Sequence, residues 1–148
     1  MALPEDLLEQ SEHLARRDKT RPKQASLRRA ISTAYYAVFH LLISDAVRLW
    51  RITGQRGTLA RGFDHGKMKN ACFRLPAHAN AGLRLVAGAF VRVQQVRHRA
   101  DYDNDKTWSR IEAIKVIDLA AEAFQSWRKV SHLRIAQDFL LSMLIDRK

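Results

Sequence analysis

The run VRHRADYD, Val96 to Asp103, gathers the residues of this chain best suited to chemistry: Arg97, His98, Arg99, Asp101, Tyr102 and Asp103 fall within seven positions. A guanidinium offers five N–H donors in a planar fork that fits a phosphate or a carboxylate. An imidazole changes charge near neutral pH and so moves protons. A phenol, with a reference pKa of about 10, donates hydrogen bonds but is a poor base at pH 7. Together these groups suit the capture of a phosphate ester and proton traffic around it. Other chemistry has little to work with. His13, His40, His65, His78, His98 and His132 never stand three or four residues apart, and Cys72 is the only cysteine, so neither a metal nor a cofactor is expected. The sequence has no serine nucleophile elbow and no HExxH pair.

The elements that position this run read as helices. One spans about Ala79 to Arg99. At 100° per residue its Leu83, Val86, Phe90 and Val93 cluster on one arc, and Arg97 falls in the middle of that arc. A charged head thus stands where the pattern expects leucine, which is costly unless it is paired or offered to an anion. Asp101, one turn later, is the internal partner, and a bound phosphate is the external one. Upstream, a first helix runs from about Pro4 to Arg17, with Glu5 and Asp6 at its positive end and Arg16 and Arg17 at its negative end. A second, about Pro22 to Arg51, repeats Leu27, Ile31, Ala34, Val38, Leu42 and Leu49 on one face. Tyr35, Tyr36, Phe39 and His40 widen that face enough to reach neighbours on two sides, one of them in another subunit. ITGQRGTLARGFDHG, from Ile52 to Gly66, loses periodicity and reads as a mobile loop. A short helix follows at about Lys67 to Leu75, closed by Pro76. The last helix starts near Trp108, with Thr107 as N-cap, and continues without Gly or Pro to Lys148, long enough to bend or break near Ser131 or to project onto a partner. The expected fold is all-α: one domain over residues 1–148, four to five helices, the C-terminal one long.

Charge narrows the partners. The 26 Lys and Arg exceed the 15 Asp and Glu by 11, a field that attracts polyanions such as RNA or DNA. The densest stretch holds Arg48, Arg51, Arg56, Arg61, Lys67, Lys69 and Arg74 against Asp64 alone. With Arg99 they are the candidate RNA-binding residues, although the glycine spacing matches neither a P-loop nor a dinucleotide fingerprint. A solvated basic connector fits that stretch equally well. No helix-turn-helix pattern favours DNA. MALPEDLLEQ lacks the features of a secretory leader, no apolar run reaches the roughly 20 residues of a membrane span, and a single cysteine suits a reducing, cytoplasmic setting.

Two segments resemble the HEPN family of RNA-associated helical domains. SLRRAISTAYYAVFHLL, Ser26 to Leu42, looks like its second helix, and VRHRADYD resembles the end of its motif helix. The order of elements also agrees. The resemblance implies a helical bundle that dimerises to bring two motifs into one cleft, and metal-independent cleavage of RNA by attack of the ribose 2′-hydroxyl on the adjacent phosphate. It assigns the motif arginine to Arg97, which would stabilise the phosphorane-like transition state, and it makes Arg97, His98, Asp101 and Tyr102 the candidate catalytic set. It also implies an RNA partner, a homodimer, and an antitoxin or nucleotidyltransferase as companion protein. This chain departs from the family where four residues separate Arg97 from Tyr102, because a tyrosine fills the slot of the motif histidine. The Arg92–His98 pair has a matching spacing, but its side chains stand about 120° apart on a continuous helix. Asn104 occupies the place of the tyrosine that some relatives have modified, so that modification does not carry over. The alternative reading is a non-catalytic module that binds a nucleotide or a partner protein.

Overall fold

The segment with the strongest apolar pattern, Gln24–Arg48, forms the longest helix, and six successive residues in it, Ala30 to Tyr35, are all buried. A helix that is apolar on every side needs neighbours on every side. The computed structural model, which describes residues 2–145, supplies them as an all-α bundle with no strand among the described residues. In chain order the helices are α1 (Leu3–Arg16), α2 (Gln24–Arg48), α3 (Arg56–Ala60), α4 (His65–Arg74), α5 (Ala81–Tyr102), α6 (Arg110–Val130) and α7 (Arg134–Leu144), with a 3-10 turn at Thr53–Gln55. Helix α2 packs against α1, α5 and α6, which also pairs with α5, while α4 packs between α5 and α7. Among the described residues α2 is the one helix long and apolar enough to cross a membrane, yet most of that apolar stretch is buried inside the bundle.

The core is one continuous cluster in which Tyr35, Phe90, Phe124 and Trp127 are the largest fully buried side chains. The indole N–H of Trp127 donates to Asp45 Oδ2 at 2.6 Å, so this ring enters the core with its polar atom satisfied. Cys72 is also buried, and the apolar surroundings push its thiol up to about 12, which leaves it protonated and unreactive at neutral pH.

The start of α2 fixes the end of α5. Arg28 donates from Nη1 to the carbonyl of Ala100 at 2.8 Å and from Nη2 to that of Lys106 at 2.6 Å. The first is a carbonyl of the last turn of α5, which the helix leaves without an internal partner, and the second belongs to the connection that follows. Gln24 grips the backbone of Trp108 twice, accepting from its N–H and donating to its C=O, both at 2.8 Å. A polar side-chain clamp thus holds the α5–α6 connection against the bundle, and the chemistry-bearing run sits just before it.

The structure departs from the sequence reading in several places. Helix α5 starts at Ala81, capped by Asn80 accepting from Leu83 N, and continues to Tyr102, so Arg97, Asp101 and Tyr102 share one helix. Helix α4 starts two residues early because Asp64 Oδ1 accepts from Lys67 N at 2.8 Å. The Gly-rich loop contains the 3-10 turn and α3, tied down by Arg56 donating to the carbonyls of Trp50 and Arg48. Thr107 is not the N-cap of α6. Ser109 is, in a capping box with Glu112.

The long C-terminal helix and the count of four to five are corrected by the same observations: seven helices are described, and the C-terminal stretch is broken at residues 131–133 into α6 and α7. The break lets Ala136, Phe139, Leu140 and Met143 fold back into the core, a burial that a straight helix would forfeit. The expected continuation to Lys148 lies in part at residues 146–148, outside the described residues.

Removing the clamp tests its role. Arg28→Ala should destabilise the protein by about 2 kcal/mol in urea denaturation, because one helix-end carbonyl and one carbonyl of the connection lose a charged donor. The exposed neighbour change Arg29→Ala should stay within about 0.5 kcal/mol. Equal effects of the two changes would show that the connection holds itself.

Candidate functional site

Arg97 reaches from α5 across to α2. Its guanidinium carbon lies 5.0 Å from the ring centre of Tyr35 and 5.5 Å from that of Tyr36, and the side chain is only 11% exposed. The two rings meet edge to face, with centres 5.3 Å apart. A cation over a phenol ring gains about 0.5–2 kcal/mol from the ring quadrupole, more as water is excluded. The one carboxylate paired with Arg97 is that of Asp101, with Nη1–Oδ2 at 3.4 Å, a long contact that Asp101 shares with the Ser32 hydroxyl, also at 3.4 Å. Arg97 Nε is buried and has no hydrogen-bond partner. The head group is therefore held by two aromatic rings and one distant carboxylate, with most of its fork unspent.

A histidine that the sequence reading did not select completes the cluster. His65, the first residue of α4, stacks on Phe39 with ring centres 4.5 Å apart and hydrogen-bonds through Nδ1 to the Tyr35 hydroxyl. The backbone of His65 also accepts a 3.4 Å contact from Gln94, one turn before Arg97 on α5. The Tyr35 ring lies 5.4 Å from the His65 ring and also faces Arg97, so the two cationic-capable groups flank one phenol. Burial, and then the positive charge of Arg97, hold the His65 imidazole below its ordinary pKa, with Asp64 pulling the other way. Burial also lowers His40. Burial raises Tyr35 against the opposing pull of Arg97 and keeps its hydroxyl protonated. With the Tyr35 proton donated to Nδ1, the neutral His65 ring carries its own proton on Nε2. His65 and Arg97 then both offer N–H donors, with the long contact to Asp101 as the one ion pair of Arg97 among the described residues, an arrangement suited to an oxyanion.

The other expected catalytic residues divide into two groups. Asp101 is with Arg97. His98 and Tyr102 lie against each other at a tilt of 52°, with ring centres 4.9 Å apart, and both are exposed. They stand about 100° and 140° round α5 from Arg97, so the single chain does not assemble the four residues into one pocket.

The expected RNA-binding residues are also spread out. Arg48 pairs with Asp45 at 3.0 Å, and Arg56 is spent on backbone carbonyls. Arg61 donates to Thr58, Lys67 lies 3.9 Å from Asp64, Lys69 lies over Phe73, and Arg74 donates to the Ser142 carbonyl. Arg51 is exposed, and Arg99 lies over the Trp108 ring on another face of α5. The largest cavity, about 720 Å³ between α4, α5 and α7, is lined by Arg74, Leu83 and Phe139 among others and does not include the Arg97 cluster. Among the described residues no group of histidine, cysteine and carboxylate side chains is arranged to hold a metal ion. Comparisons with family models, with curated proteins and with solved structures return no match.

The environment of His65 sets a pH test. A folded-state pKa below the unfolded value of about 6.5 means that the unfolded chain takes up the proton first, so stability falls as pH drops from about 6.5 toward the folded pKa. In an NMR titration the ring signals of His65 should show a midpoint below 6.5, and His65→Gln should reduce the slope of stability against pH in that window. His40 contributes in the same direction, so the double change with His40→Gln should flatten the slope further. A His65 midpoint at or above 6.5 would contradict the buried, Arg97-facing environment.

Proposed function

We propose that this chain is an RNA-directed helical protein of the HEPN type, acting as a metal-independent ribonuclease in a toxin–antitoxin or defence setting. The observation that carries the reading is the Arg97 guanidinium, seated on Tyr35 and Tyr36 with its Nε buried and unpartnered. A phosphodiester is the ligand that fits: planar oxygen pairs for the fork, and negative charge that grows as the 2′-oxygen adds to phosphorus. In that step the bond from the 2′-oxygen to phosphorus forms and the bond from phosphorus to the 5′-oxygen breaks. The proton leaves the 2′-hydroxyl and another arrives on the departing oxygen.

Arg97 would supply the positive charge that offsets the oxyanion, and the Nε2–H of His65 would donate a hydrogen bond to it. His98, exposed one residue from Arg97, is the group open to solvent for proton transfer. Two copies meeting across the α2–α5 face would bring a second His98 and Tyr102 to the Arg97 seat, which is the reason for proposing a homodimer. The segments Ser26 to Leu42 and Val96 to Asp103 support the family reading, and the net charge of +11 supports a polyanionic substrate.

A second reading, a non-catalytic module that holds RNA or a nucleotide, draws on the exposed His98–Tyr102 pair and on the tyrosine in the motif histidine position. One experiment separates them. Purified protein is incubated with RNA in EDTA beside Arg97→Ala, with circular dichroism confirming that the variant is helical. The proposal expects cleavage that falls about 100-fold or more in Arg97→Ala, and RNA affinity that declines steeply with salt. Binding without cleavage, lost in the variant, selects the module. Equal behaviour of the two proteins rejects both readings.

A further inference from the structure

On the side of α5 turned toward α6, away from Arg97, lies a second basic feature. Arg92 and Arg99 are seven residues apart and therefore lie nearly in line along the helix, within about 20° of each other. With Lys106, Trp108, Glu112 and Lys115 they line a groove of about 260 Å³. Lys106 is paired with Glu112 at 2.7 Å, but among the described residues Arg92, Arg99 and Lys115 form no ion pair. Trp108 forms the floor. It is 5% exposed, its Nε1–H is buried with no acceptor, and both Arg99, at 5.9 Å, and Lys106, at 5.0 Å, lie over its ring.

Repulsion among three uncompensated cations and an unmet indole N–H both oppose this arrangement in water. An anion with several acceptor oxygens, seated among the three cations, relieves the repulsion. We propose that this groove binds a phosphate monoester, independently of the Arg97 cluster. Its size lies just below the roughly 300–1,000 Å³ of ordinary ligand pockets, enough for a phosphoryl group and the sugar that bears it but not for a length of polymer. The same phosphoryl chemistry comes from a free mononucleotide or from the 5′ end of an RNA. A carboxylate ligand is disfavoured because Glu112 already supplies one, and three cations remain.

Thermal unfolding and tryptophan emission of the full chain, titrated with inorganic phosphate and with adenosine 5′-monophosphate, test the site. Binding to the folded state should raise the midpoint as ligand concentration increases. The surface double change Arg92→Gln with Lys115→Gln should weaken the response about tenfold or more while leaving the midpoint without ligand within a few degrees. Arg97→Ala should keep the response intact, which separates this site from the ribonuclease reading. Trp108→Phe, which removes the N–H but keeps a ring, should abolish the emission change. A 5′-phosphorylated RNA oligonucleotide that binds more tightly than its 5′-hydroxyl form, with the preference lost in the double variant, identifies the RNA end as source. Response to the mononucleotide without that preference identifies the free compound. No midpoint shift with any of these probes, or an equal shift in the double variant, overturns the site.

Discussion

A guanidinium largely withdrawn from water, with aromatic faces in place of full ion pairing, is the constraint around which this bundle is organised. The two tyrosine rings return about 0.5–2 kcal/mol each, and the long contact to Asp101 is shared with Ser32. Against that stands a buried Nε without an acceptor, which costs about 1–3 kcal/mol. The two sides of this balance are similar in size, and the surrounding helices hold the arrangement in place. Arg28 and Gln24 pin the end of α5, and the Asp64 cap pins the start of α4, leaving Arg97, Tyr35 and His65 little freedom to relax apart.

What the sequence made legible follows from which forces are local. Arg97 stood out because a 3.6-residue period predicts burial at its position, and the structure places it there at 11% exposure beside fully buried Phe90 and Val93. The tyrosine pair was readable as packing. Tyr35 is indeed in the core, but the face it turns to Arg97 depends on how α5 crosses α2, which no local pattern encodes. His65 was missed for the same reason: its partner Tyr35 is 30 residues away, and it sits at the edge of a glycine-rich stretch without periodicity. The one local signal was Asp64 three residues before Lys67, a cap that puts His65 in the first helical turn. Ser109 and Glu112 likewise carried the capping-box spacing, whereas Thr107 lacked a partner for it. The break between α6 and α7 falls where the length of the stretch predicts a bend or break, near Ser131; no glycine or proline marks it, and the burial of Phe139 and Met143 accompanies it. Basic density from Arg48 to Arg74 was visible, but its use was not: Arg56 and Arg74 are spent on carbonyls.

The unmet polar atoms locate function more sharply than charge does. Buried donors and acceptors in folded proteins are nearly all satisfied, so the exceptions mark places where something is missing or strain is tolerated. Four such side-chain atoms are found among the described residues, and three of them, on Gln94, Arg97 and Trp108, belong to α5 or to the connection that follows it. Arg97 faces α2, and Trp108, in the connection after α5, lines the groove between α5 and α6, so the two donors lie on different sides of that helix. The net charge of +11 explains why anions accumulate near such a protein, because that field is diffuse and screened within about 8–10 Å. It does not explain where they stop. Cations gathered without an ion pair among the described residues, as Arg92, Arg99 and Lys115 are, give that field a local maximum. Helix α5 thus presents two donor sites made by different neighbours, and the separation between them follows from the helix period itself.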